Sequence, residues 1–191
     1  MIAIFSAAAL ATTFTLVSSK DGCDLYTGPV QPDGTAQLQA NCHWDDVDAG
    51  ALESKLAKAD QWHVYLDCLE DTKIVGTAGD RTIVWQRATI PGVATREGYV
   101  VMRTTPVGDG YRYAWEATGV TAGLSKGSVS PDRNEGYWQV TPSPKGGVDV
   151  VYEATYAPGG NLPLWIVRKY QPIAGRDVLA DIHAVGRDDN G

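Results

Sequence analysis

The sequence predicts an α+β fold: a curved antiparallel sheet wrapped around a long C-terminal helix, with two short helices after the second strand. Three observations predict it. Apolar and polar residues alternate with period two, broken by turn residues, between positions 70 and 157. An apolar stripe of helical period follows and runs to the end of the chain. Ahead of both, two strand-like segments give way to a run of helix-starting aspartates at 45–48.

In order, segments 24–30 and 35–44 read as strands joined at Gln31-Pro32-Asp33-Gly34, with Pro and Gly at favourable turn positions. Asp48 is the best-placed N-cap for a helix over 49–59, which carries Leu52, Leu56 and Ala59 on one face. A second short helix is expected at 61–68. Strands are expected at 70–76, 81–90, 97–105, 111–118, 135–142 and 147–157, several rich in aromatic and β-branched residues. Lys145-Gly146-Gly147 is a hairpin turn, and the polar, Gly- and Ser-rich stretch 120–134 is a loop.

Pro158-Gly159-Gly160 ends the last strand. Asn161 is expected to cap the long helix, with Pro163 in its first turn, where a missing N–H costs nothing. Leu162, Trp165, Ile166, Tyr170 and Ile173 share one face, and Val178, Leu179, Ile182 and Val185 continue it. Pro172 and Gly175 are expected to kink or interrupt the helix. The apolar stripe must face the concave side of the sheet, so either side chains or a ligand fill the space between.

A chain of 191 residues suits one domain, 12–191. The apolar segment 1–11, ending Ala9-Leu10-Ala11, reads as an export signal or a short N-terminal helix. A net charge of -7, with no run of Lys or Arg longer than two, argues against nucleic acid and anionic membrane as electrostatic partners. No stretch is long and apolar enough to span a bilayer. At most transient membrane contact and a monomeric state are expected. Six Trp and nine Tyr stand against two Phe; rings with an apolar body and one polar handle suit a core or an amphipathic pocket.

Several segments resemble the steroidogenic-acute-regulatory-related lipid-transfer (START) family, within the wider polyketide-cyclase-like (SRPBCC) superfamily. Phe14-Thr15-Leu16-Val17 followed by Lys20-Asp21-Gly22-Cys23-Asp24-Leu25-Tyr26 is similar to the family's opening. Val84-Trp85-Gln86-Arg87, Ile90-Pro91 and Arg96-Glu97-Gly98-Tyr99-Val100-Val101-Met102-Arg103 are similar to its central strand pair. Gly136-Tyr137-Trp138-Gln139-Val140 and Pro158-Gly159-Gly160-Asn161-Leu162-Pro163 are similar to its last strands and helix start. The likeness spans residues 12–187. It departs where the family has Arg-Asp before an aromatic: counted back from Tyr99, those positions hold Glu97 and Gly98. The resemblance implies a helix-grip fold that binds, and in some cases transfers, a lipid, sterol or similar hydrophobic small molecule in an internal cavity, without a cofactor. Because some superfamily members are enzymes, a cyclase or aromatase acting on an apolar substrate in the same cavity is the alternative.

No catalytic constellation stands out. His43, His63 and His183 fall on different elements, and no Gly-x-Ser-x-Gly or phosphate-loop pattern occurs. A non-catalytic binding domain is therefore favoured. On its strand Arg103 shares a face with Tyr99 and Val101, and neighbouring strands present Trp85 with Arg87 and Tyr113 with Trp115. If that face lines the cavity, Arg103 is a cation in an apolar box that needs a partner or an anionic ligand group. The candidate ligand-binding residues are Trp85, Arg103, Tyr113, Trp115, Trp138, Tyr152 and Trp165, around a cavity of roughly a few hundred Å³.

Three cysteines allow at most one intramolecular pair. The turn at 31–34 is centred between residues 32 and 33, so opposed residues of the hairpin sum to 65, as Cys23 and Cys42 do. Their Cβ atoms should approach within disulfide reach. A bond there implies an oxidising compartment, secreted or periplasmic; three reduced thiols in a cytoplasmic protein are the alternative. Cys68 is expected to be free and buried at the end of the second short helix.

Overall fold

The computed structural model describes residues 13–89 and 93–187; the segment 1–11 and its two readings lie outside them. The strands are β1 (Thr15–Lys20), β2 (Cys23–Thr27), β3 (Leu38–Trp44), β4 (Asp71–Ala78), β5 (Arg81–Ala88), β6 (Arg96–Val107), β7 (Gly110–Ala117), β8 (Arg133–Pro142) and β9 (Val148–Ala157). The helices are α1 (Ala49–Leu56), α2 (Trp62–Tyr65) and α3 (Leu164–Arg187), with a single 3₁₀ turn at Ala59–Gln61. The described strands form one curved antiparallel sheet in the order β1-β2-β3-β9-β8-β7-β6-β5-β4.

The hairpin expectation holds residue for residue. Cys23 pairs with Cys42 and Thr27 with Leu38, all summing to 65, and the pairing extends to the Gly28 N–H donating to the Gln37 carbonyl at 2.8 Å. The Gly34 N–H donates to the Gln31 carbonyl at 2.9 Å and closes the turn. Cys23 and Cys42 are joined by a disulfide. Cys68 is free but exposed rather than buried, because α2 stops at Tyr65 and leaves it in a surface turn. Asp48 caps α1, its carboxylate accepting from the Ala51 N–H at 2.8 Å.

Strand β1 has no counterpart among the expected strands. Its pattern, Thr-Leu-Val-Ser-Ser-Lys, does not alternate, and only Ser18 is even half-buried. Backbone pairing with β2, through an irregularity between Leu16 and Ser18, is what holds it.

Helix α3 also differs from expectation at two points. It starts at Leu164 with the Pro163 carbonyl accepting from the Ile166 N–H at 2.9 Å, so Asn161 is not the cap. It then runs as one helix through Pro172 and Gly175, so neither residue interrupts it. Proline removes one hydrogen bond from the ladder, and seating of the following turns on the sheet carries the helix past the defect. At Gly175 an added Cβ would lie 2.7 Å from Leu38 Cδ1, so glycine is what lets the helix backbone touch β2 and β3. From there Gly175, Leu179, Ile182 and Gly186 are buried. At the far end His183 stacks on Trp44 with centroids 4.7 Å apart, and both His183 and Arg187 reach Asp46, at 2.8 and 3.0 Å.

Candidate functional site: the half-open end of the concave face

Ladder register decides which side chains face α3. Tyr113, Trp138 and Tyr152 pair across β7, β8 and β9 and are buried with Val100, Met102, Val140 and Val150 on the concave face. Trp115 joins them; its ring lies across Gly136, where an added Cβ would come 2.7 Å from Trp115 Cζ2. Trp62 of α2 meets Trp115 edge-on at 5.7 Å, and Tyr152 stacks between Trp115 at 6.4 Å and Trp138 at 4.2 Å. Rings therefore fill the middle of the concave face.

The end of that face near the start of α3 is different. There Trp115, Asn134 and Tyr156 are only half-buried, and so are Ile166, Val167 and Ile173 on the helix above. The Trp115 indole N–H donates to Asn134 Oδ1 at 3.0 Å, and Asn134 Nδ2 donates to Gln86 Oε1 at 3.0 Å. Tyr156 pairs with Asn134 across the ladder, and burial pushes its phenol up to about 12. Burial likewise raises Tyr152 and takes Tyr113 to about 12. All three phenols keep their protons at neutral pH.

Two buried charged residues organise the loops around this opening. Arg96, 3% exposed, donates to the carbonyls of Pro158 at 3.0 Å and Gly159 at 3.1 Å, and also to that of Ala94. It thus ties the loop before α3 to the loop before β6. Glu97, 1% exposed, accepts from the Ser125 N–H at 2.8 Å and from Arg87 at 3.3 Å, fastening loop 118–132. Burial alone would raise the Glu97 carboxyl, but the Ser125 hydrogen bonds and the Arg87 charge hold it below the usual carboxylate range.

Of the residues expected around the cavity, Tyr113, Trp115, Trp138 and Tyr152 face inward. Trp85, Arg103 and Trp165 do not. Trp85 lies on the convex face with Lys73 Nζ 4.9 Å over its ring. Arg103 is paired with Asp80 at 3.2 Å, its side chain 44% exposed, so no apolar box surrounds it. Trp165 is 64% exposed at the start of α3. The error for Trp85 and Arg103 is one of parity. The two-residue turn Gly108-Asp109 makes opposed residues of β6 and β7 sum to 217, so Tyr113 faces Thr104 and Trp115 faces Met102. The odd residues of β6, with Arg103, look outward while those of β7 look inward. That odd sum was readable from the turn. Gln86, Asn134, Tyr156 and Arg96 were not singled out; the signal for Tyr156 was its position four residues along the strand from Tyr152, on the same face.

Two pockets lie away from the space under α3 where the cavity is expected. One of about 210 Å³ sits on the convex face between Gln37, Glu135, Tyr137, Glu153 and Thr155. The other, of about 90 Å³, lies between α1, the 3₁₀ turn and β4 to β6, lined by Ile74, Thr82, Met102 and Thr104.

No protein-family model and no curated protein matches the chain. Solved structures do. A fragment of a STAR-related lipid transfer protein from Xanthomonas axonopodis superposes with a TM-score of 0.80 at 20% identity, covering 92% of this chain and 99% of that one. Human StAR-related lipid transfer protein 5 gives 0.76 at 13% identity, with coverages of 96% and 90%. The di-domain ARO/CYC BexL, from the BE-7585A biosynthetic pathway, gives 0.57 at 13% identity, covering 83% of this chain and 50% of that one. The chain has the helix-grip fold of these START-type domains.

Proposed function

We propose that this domain binds a hydrophobic small molecule, lipid- or sterol-like, at the half-open end of the concave face, under the first half of α3. The observation that carries the reading is the pairing of a fold shared with lipid-transfer domains with half-buried apolar surface on both walls: Trp115 and Tyr156 on the sheet, Ile166, Val167 and Ile173 on the helix. Trp115, Tyr152 and Trp138 form the floor that such a molecule meets, and Tyr113 completes the packed wall behind them. The Cys23–Cys42 bond supports an oxidising setting, secreted or periplasmic. The protein acts as a monomer that meets membranes at most transiently, and transfer between membranes is the corresponding activity.

The ARO/CYC neighbour supports a second reading, a cyclase or aromatase working on an apolar substrate in the same space. Tyr113, Tyr152 and Tyr156, with phenols raised by burial, would serve there as hydrogen-bond donors and not as bases at neutral pH.

Native mass spectrometry of gently purified protein tests the first reading: a co-purifying apolar mass is expected, released by organic solvent. Trp115→Ala should weaken uptake of a fluorescent lipid about tenfold or more while the urea midpoint moves far less in proportion. A wild-type protein that carries nothing and takes up no lipid would end the proposal.

A further inference from the structure

We infer that the molecule held under α3 carries a neutral hydrogen-bond acceptor, a carbonyl or hydroxyl oxygen, at the end that reaches Gln86, and that Gln86 Nε2 receives it. This rests on the binding reading above and names the class of ligand.

The argument starts from Trp115. An indole N–H can only donate, so the atom of Asn134 facing it at 3.0 Å must be the carbonyl oxygen Oδ1. That leaves the Asn134 amide nitrogen for the other side, where it donates to Gln86 Oε1 at 3.0 Å. With its oxygen turned to Asn134, Gln86 points its –NH₂, two unused donors, the other way. The three side chains form a one-way relay whose last member is compelled to be a donor.

That donor has no protein acceptor, although the side chain that carries it is mostly buried. Gln86 is 8% exposed, and among the described residues no acceptor stands within reach of its Nε2. The nitrogen is not sealed in either, since Glu53 Oε1 is the enclosed, unpartnered side-chain atom of the described residues. An incoming oxygen would take the place of the water that this open donor otherwise meets.

Neutral charge follows from the surroundings. On the concave ladder positions of β5 to β9 the one charged side chain is Arg96, and each of its three nitrogens already donates to a backbone carbonyl. The remaining polar groups at this end, Asn134 and Tyr156, are uncharged. On the sheet wall of this end, an anionic head would find no unengaged cation among the described residues.

The test uses the full chain, Nile red as a reporter, and four displacing ligands with the same sixteen-carbon skeleton: alkane, 2-ketone, primary alcohol and carboxylate. For the wild type, ketone and alcohol should displace Nile red about tenfold more tightly than the alkane, the equivalent of one hydrogen bond. Gln86→Met should erase that ratio. Because a buried substitution can unsettle the fold, Asn134→Asp gives a second, signed readout. A carboxylate there accepts from both neighbours, so Gln86 must turn its nitrogen inward and offer its oxygen to the ligand. Alcohol, which can donate, should keep its advantage, and ketone should lose it. A ketone-to-alkane ratio that is the same in wild type and Gln86→Met would overturn the inference while leaving the binding site standing. So would preference for the carboxylate. Failure of the wild type to take up Nile red or any of the four would instead remove the binding reading itself.

Discussion

The two halves of α3 face the same sheet and are built differently. From Gly175 onward the helix lies in contact with β2, β3 and α1, its small residues letting backbone meet side chain and its large ones, Leu179 and Ile182, buried. Before Gly175, Leu164, Trp165 and Tyr170 are 45%, 64% and 52% exposed, and no residue is fully buried. One half is a core element and the other is a cover held over half-open space. The difference shows how a single helix can anchor a domain at one end and leave room for a guest at the other.

Ile182→Ala should break the anchored half most severely. The side chain is 1% exposed in the main core, and truncation should cost about 2–5 kcal/mol by urea unfolding. Trp165→Ala, at the other half, should stay within about 0.5 kcal/mol. Comparable losses at the two positions would show that the halves are equally packed and that the distinction is wrong.

Next comes the staple beneath the anchored half. Cys23 and Cys42 join the two strands that Gly175 touches, nineteen residues apart in sequence. Closing a loop of that size stabilises by about 3 kcal/mol through the unfolded chain. Reduction should lower the urea midpoint accordingly and raise hydrogen exchange in 175–187 more than in 164–174. The unreduced, denatured protein should titrate one thiol, that of Cys68.

The smallest effect concerns pH. The hydrogen bond with His183, then the charges of His183 and Arg187, hold the Asp46 carboxyl below the ordinary value for aspartate. A folded-state value below the unfolded one means stability that is present above the unfolded value and lost as pH falls through the folded one. Asp46→Asn should therefore be less stable than wild type at neutral pH and converge with it in acid. A gap that persists unchanged at low pH would mean that the carboxylate does not latch the end of α3.

Much of this was legible in the sequence because it is local. The turn at Gln31-Pro32-Asp33-Gly34 sets the register that opposes Cys23 to Cys42. Asp48 caps α1 because three residues suffice to close that bond. Period-two segments became strands within a few residues of their expected ends. The parity of β6 against β7 was also local, encoded in the two-residue turn Gly108-Asp109, and ignoring it turned Trp85 and Arg103 toward the wrong side. Strand β1 was harder, since a strand held mainly by backbone bonds to one neighbour leaves little trace in its side chains.

By itself, then, the sequence determined the order of elements, the antiparallel pairings joined by short turns and the apolar stripe that α3 must bury. Each of these follows from residues close together along the chain. Tertiary structure alone decided that the stripe is buried only past Gly175, that Trp62, Trp115, Trp138 and Tyr152 fill the middle of the concave face, and that the Trp115–Asn134–Gln86 relay ends in an unpartnered donor. Those outcomes join side chains dozens of residues apart. Distances between packed elements are set by how all the surfaces fit at once, and no local period or turn records them.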